Sequence, residues 1–165
     1  NKQLSQLYIH DSLTGLYNRM AYEKLALPLF QQYMQKGRPV GILFADADHL
    51  KYINDNFGHD MGNLAISSIA SVIRQHCPDN SVSMRYGGDE FVCVIPDYDQ
   101  TQLQKLKQNL LDSLATLSRN SRMAFPIEAS IGFVVADDSV FSLNDYINLA
   151  DEKMYIDKKN RKAGR

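Results

Sequence analysis

The chain has no tryptophan, only two cysteines and five prolines, and its positive and negative side chains nearly cancel, leaving a formal net charge of −1 over 165 residues. Each scarcity excludes something. Without a surplus of positive charge there is no global field to gather a phosphodiester backbone, so nucleic acid is not expected as a partner. No apolar run approaches the roughly 20 residues needed to span a bilayer, and no signal peptide opens the chain. Cys77 and Cys93 stand in a helical and a strand-like apolar context, far apart and without metal-ligand spacing. They read as buried thiols in a reducing compartment, which implies a cytoplasmic domain. The length suits one domain with a sizeable core. The opening "NKQLSQLYIH" lacks an initiating methionine and reads as the C-terminal end of an upstream stalk helix (residues 1–10), with Leu4 and Leu7 as seam residues. Residues 11–165 are then one domain of a larger protein, whose other parts could include a membrane anchor.

Apolar spacing predicts a helix from about Ser12 to Lys36, stopped by Gly37 and Pro39. "VGILFAD" (40–46) is a buried central strand that ends in an acid. A short helix over 49–57 follows, then a turn bracketed by Gly58 and Gly62, then a broad-faced amphipathic helix up to the Pro78-Asp79-Asn80 stop. Residues 82–86 and 91–95 flank two glycines as a hairpin. An amphipathic helix, a strand over 127–137 and a helix capped by Ser142 with Asp145 complete the chain; Tyr146, Ile147, Leu149, Ala150 and Met154 form that helix's inner face. The order implies an α/β (α+β) sandwich with a ferredoxin-like, palm-type central sheet, mostly antiparallel and flanked by helices.

The stretch "RYGGDEF" (85–91) runs two glycines into two acids at the start of a buried strand. By itself this is an ordinary solvated hairpin tip. "DADHLK" (46–51) by itself could be a helix N-terminus with favourable acids. Together they suggest more. In a β-α-β-β-α-β sheet the first strand can neighbour the hairpin, bringing Asp46 close to Asp89 and Glu90. Converging carboxylates repel unless a cation sits among them, and a hard divalent ion with phosphates is the economical solution. Glycines without Cβ atoms let backbone N–H groups and a phosphate or ribose come close.

"RYGGDEF", with "DADHLKYINDNFGHDMGN" and "DSLTGLYNR" upstream, resembles the GGDEF-domain family of diguanylate cyclases from Asp11 to about Lys162. That resemblance implies condensation of two GTP molecules into cyclic di-GMP with release of pyrophosphate, by a homodimer holding one GTP per domain beneath an upstream sensory or regulatory domain. It implies Mg²⁺ or Mn²⁺ held by Asp46, Asp89 and the Ala47 carbonyl. Glu90 belongs to the same cleft, as metal partner or proton acceptor. Lys51 and Arg85 are the cations expected at the triphosphate, His49 and Leu50 offer main-chain N–H groups, and Gly87 and Gly88 allow close approach. Asn54 resembles the guanine-reading asparagine, and His59 lies beside the nucleotide. Asp11 and Arg19 resemble the hinge to the upstream helix.

Three departures stand out. Asn63 replaces the usual aspartate, and an amide offers guanine one acceptor where a carboxylate accepts from both N1–H and the amino group, so relaxed base selectivity is expected. Pro78 to Ser81 replaces the Arg-x-x-Asp of the family's product-inhibition site, so inhibition through that site is not expected. In "DKKNRK", Lys158 matches the phosphate-binding lysine, but Lys162 stands where arginine is usual and Arg161 where glycine is usual. A catalytically weak or degenerate GTP-binding sensory module is the alternative reading.

Overall fold

The computed structural model describes residues 8–121, 123–138 and 141–163. The seam leucines Leu4 and Leu7 lie outside the described residues. A π-helical turn, Tyr22–Ala26, leads into α1 (Leu27–Gln35); β1 (Val40–Ala47), α2 (Leu50–Phe57), α3 (His59–His76), β2 (Val82–Arg85), β3 (Glu90–Pro96), α4 (Gln100–Asn120), β4 (Ala129–Ala136) and α5 (Leu143–Ala163) follow. The strands form one sheet in the order β2-β3-β1-β4, every neighbouring pair antiparallel. This is the ferredoxin-like α+β arrangement expected, with the first strand between the hairpin and the last strand.

Strand alternation divides the core between two faces. Val40, Ile42 and Phe44 point toward α1 and α5, where Phe30, Tyr146, Ile147, Ala150 and Met154 cover them. Leu43, Ala45 and Ala47 point to the opposite face, toward Ile66, Ile69, Ile73 of α3 and Leu103, Leu106, Leu110 of α4. Asp46 continues the even-numbered series and therefore emerges on the α5 side. Gly132 of β4 fixes how near α5 can come: a Cβ there would collide with the α5 backbone at Ala150 and Met154.

Three local expectations change. Residues 12–20 form turns, not helix. The Asp11 carboxylate accepts from both the Thr14 N–H (2.9 Å) and hydroxyl (2.8 Å), a local hydrogen-bonding alternative that competes with helical backbone. Gly62 lies inside α3, buried, rather than in a turn. Its missing side chain is where the Asn54 side chain fits, so the glycine serves the contact between α2 and α3. Leu149 is exposed rather than on the inner face of α5. The expected cap of α5 is present: Ser142 Oγ accepts from Asp145 N–H (3.1 Å) and Asp145 Oδ2 from Ser142 N–H (3.0 Å). Cys77 and Cys93 are both buried free thiols. No helix among the described residues is long and apolar enough to cross a membrane.

Candidate active site

Asp46 and Glu90 are register partners across β1 and β3. The Ala47 N–H donates to the Asp89 carbonyl (3.0 Å) just beyond, so the strand end and hairpin tip are stitched together. The expected convergence of Asp46, Asp89 and Glu90 is therefore present, and it follows from strand order and register. Across the cleft stands α5, whose Lys158 Nζ donates to Asp46 Oδ2 at 2.7 Å.

The carboxylate of Asp46 is unusual. Its Oδ1 is buried and has no hydrogen-bond partner. Burial, followed by the charge and contact of Asp89, outweighs the pull of Lys158 and raises its pKa to about 7. Glu90 is also raised, first by burial and then by the charges of Asp89 and Asp151, with Arg19 and Lys158 opposing. Burial works against the Lys158 ammonium, but Asp46, Asp48 and Asp89 together hold its pKa above the ordinary lysine value.

An orphaned buried oxygen beside a second carboxylate fits a hard divalent cation. Among the described residues no group of three or more His, Cys, Asp or Glu side chains is arranged as a metal cage.

The remaining expected residues divide into three groups. His49 carries a left-handed φ of 59° ahead of α2, and with Asp48, Lys158, Arg161 and Lys162 it lines a nook of about 110 Å³. Leu50 packs half-buried against the core, while Lys51 is exposed on the first turn of α2. Asn54 lies half-buried against Gly62, and His59 and Asn63 are exposed one turn apart at the start of α3. Gly87 lies under the Glu90 carboxylate, and Gly88 is open to solvent.

Arg85 is bonded outside the cleft. Its Nη1 pairs with Asp11 Oδ1 (3.2 Å), and its Nε and Nη2 donate to the Gly88 carbonyl (3.1 and 2.7 Å). The guanidinium therefore ties the hinge to the hairpin tip rather than reaching into the cleft. Arg19 joins it from the same segment, lying over the Tyr86 ring at 4.3 Å. The hinge also pairs with the outer edge of β2, through Tyr17 N–H to Ser83 O (3.1 Å) and Arg85 N–H to Tyr17 O (2.8 Å). At Pro78–Ser81 a cavity of about 200 Å³ is lined also by Arg74, His10 and Tyr17, and the turn closes on itself through Ser81 Oγ to Pro78 O.

Sequence reasoning missed the polar cluster behind the nook. Asp48, 7% exposed, accepts from the Ser130 hydroxyl (2.6 Å) and from Arg161 Nε (3.2 Å). Arg161 Nη2 reaches on to Glu128 Oε2 (3.1 Å). These partners are 33 to 113 residues apart in the chain, and no local spacing signals them.

The family model described as "Diguanylate cyclase, GGDEF domain" matches residues 8–164. Among curated proteins, the chain is 32% identical over 164 residues to the bifunctional diguanylate cyclase/cyclic di-GMP phosphodiesterase MucR of Pseudomonas aeruginosa, covering 99% of this chain and 24% of that protein. It is 33% identical over 153 residues to the diguanylate cyclase VdcA of Vibrio cholerae, covering 89% of this chain and 43% of that one. The chain thus spans less than half the length of these relatives. Among solved structures, the coiled coil and GGDEF domain of DgcB from Caulobacter crescentus, in complex with c-di-GMP, superposes with a TM-score of 0.87 at 25% identity, covering 96% of this chain and 85% of that one. Strand order, paired acids, hinge and sequence agree: the chain belongs to the GGDEF-domain family of diguanylate cyclases.

Proposed function

We propose that this domain condenses two GTP molecules into cyclic di-GMP and pyrophosphate, two copies facing each other with one nucleotide each. The observation that carries this reading is the meeting of Asp46 and Asp89 at the joined ends of β1 and β3, with a buried Asp46 oxygen left without a partner. Mg²⁺ or Mn²⁺ bound by these two carboxylates and the Ala47 carbonyl would activate the attacking 3′-hydroxyl and neutralise the phosphates. Lys158 of α5 and Lys51 on the first turn of α2 supply positive charge to the triphosphate. His49, in its left-handed turn, leads the backbone of α2 toward the terminal phosphates. Glu90, whose pKa is raised by burial and by the charges of Asp89 and Asp151, is the further acid of the cleft able to exchange a proton. Asn54, at the contact between α2 and α3, and the exposed His59 and Asn63 of α3 would meet the base. Upstream segments of the parent protein would set how the two domains meet, and the Asp11–Arg85 bridge connects them to the hairpin.

A GTP-binding module without turnover is the second reading. Its support is the amide at Asn63 together with the diversion of Arg85 to the hinge. Pyrophosphate release from GTP and Mg²⁺, measured on a forced dimer with the product identified by mass, separates the two. Cyclic di-GMP formation supports the first. Saturable GTP binding without pyrophosphate supports the second.

A further inference from the structure

α5 places two cations on one face, Lys158 and Arg161, three residues apart and therefore neighbours. Opposite them stand two acids of the β1 exit, Asp46 and Asp48. Lys158 lies between these acids, 2.7 Å from Asp46 Oδ2 and 4.0 Å from Asp48 Oδ1. Asp48 is the more buried, and a buried carboxylate must find a compensating charge. Arg161 provides it. Its Nε meets Asp48 Oδ2 at 3.2 Å while its Nη2 meets Glu128 Oε2 at 3.1 Å, so one planar fork bridges the end of β1 and the start of β4. Ser130 completes Asp48 from the other side at 2.6 Å.

We propose that Arg161 is a positioning residue: by taking up the charge of Asp48 and anchoring the end of α5 to Glu128, it leaves Lys158 free to serve Asp46 and the nucleotide phosphates. The assignment deepens the proposed GTP reaction and rests on it. It also resolves the two adjacent departures in "NRK". Arg161 is turned inward and held by two carboxylates, so it does not replace a phosphate-binding arginine. Lys162, turned about 100° further round the helix, is exposed at the mouth of the nook and is the residue available to a phosphate there. A glycine at position 161 could not hold Asp48, and a lysine could reach one carboxylate but not both.

The test is calorimetric binding of α,β-methylene GTP, which cannot react, in the presence of Mg²⁺, with a melting curve on every variant. In Arg161→Ala the Asp48 carboxylate competes for Lys158, and affinity for the analogue falls about tenfold, the worth of one charge-assisted phosphate contact. Removing the competitor as well, in the double variant Asp48→Asn/Arg161→Ala, restores affinity to within about twofold of wild type. A purely structural Arg161 would lower the melting temperature and leave the affinity of the folded fraction unchanged, and the double variant would be no better than the single. Either result overturns the assignment. Should Arg161→Ala melt below the assay temperature, Arg161→Lys carries the same test, with a loss of roughly threefold expected because one of two contacts survives. A wild-type chain that binds no analogue overturns the GTP reading and this inference with it. A wild-type chain that binds, alongside an Arg161→Ala chain that binds equally, overturns the inference alone.

Discussion

Two aspartates, Asp11 and Asp46, sit on opposite flanks of the same hairpin and are treated in opposite ways. Asp11 is satisfied: the Thr14 N–H and hydroxyl and the Arg85 guanidinium all point at it, and against the cost of its burial they hold its pKa below the ordinary value. Asp46 is left short: one oxygen meets Lys158, the other is buried and unpartnered, and desolvation with Asp89 nearby raises its pKa to about 7. The first arrangement stabilises the fold as it stands. The second costs stability and makes sense only if another positive group completes it. The contrast separates the joint from the reacting end across a single hairpin.

The comparison breaks most visibly through removal of the acids. Asp46→Asn or Asp89→Asn is expected to lower pyrophosphate release on the order of a thousandfold, since ion placement and charge neutralisation go together. Asp46→Asn should do so without lowering the melting temperature in chelator, because it discards a charge the fold holds at a cost. A variant that melts lower and keeps its rate would reverse the assignment.

Next in size is base recognition at Asn63. Restoring the carboxylate with Asn63→Asp should sharpen the preference for GTP over ATP by roughly ten- to a hundredfold, the value of a charge-assisted hydrogen bond. Competition between the two nucleotides, with products resolved by mass, reads this directly. An unchanged product ratio would remove Asn63 from base recognition.

The satisfied acid should fail in the other currency. Asp11→Ala loses a local cap and strands a half-buried guanidinium, which is expected to cost about 1–2 kcal/mol in urea unfolding. A forced dimer of this variant should retain its turnover while folded.

The finest test is the sign of the pH dependence. The raised pKa of Asp46 means that the folded chain holds an extra proton between about 3.8 and about 7, so its contribution to stability falls as pH climbs through that window. The lowered pKa of Asp11 does the reverse: its contribution is complete above the ordinary 3.8 and is lost as pH falls through the folded value. In chelator, Asp46→Asn should therefore melt above wild type at pH 7 and Asp11→Asn below it, the Asp46 difference shrinking toward pH 4 and the Asp11 difference holding to pH 4 and shrinking only below it. Differences of the same sign would erase the contrast.

Much of this was legible from residue order. Alternation and apolar runs locate every strand among the described residues, and the β-α-β-β-α-β order allows Asp46 to lie beside the hairpin acids. Side-chain choices that override local periodicity were not legible. Leucines and tyrosines between Ser12 and Met20 carry a helical pattern, yet Asp11 and Thr14 bond locally and turn the segment into a joint. Gly62 resembles a turn residue because the Asn54 side chain it makes room for lies on another helix. Arg85 stands next to the glycines in sequence, but its partner Asp11 approaches from the hinge, 74 residues away. The Arg161–Asp48–Glu128 cluster was hidden for the same reason: pairing over such distances is decided by the fold, and each residue alone resembles surface charge.

The proposed reaction requires Asp46 and Asp89 to share one divalent ion against a triphosphate. Mn²⁺ titration followed by electron paramagnetic resonance, with α,β-methylene GTP present, tests it most directly. Wild type should take up Mn²⁺ more tightly with the analogue than without it, and Asp46→Asn should lose that uptake. Equal Mn²⁺ uptake by Asp46→Asn and wild type would contradict the account.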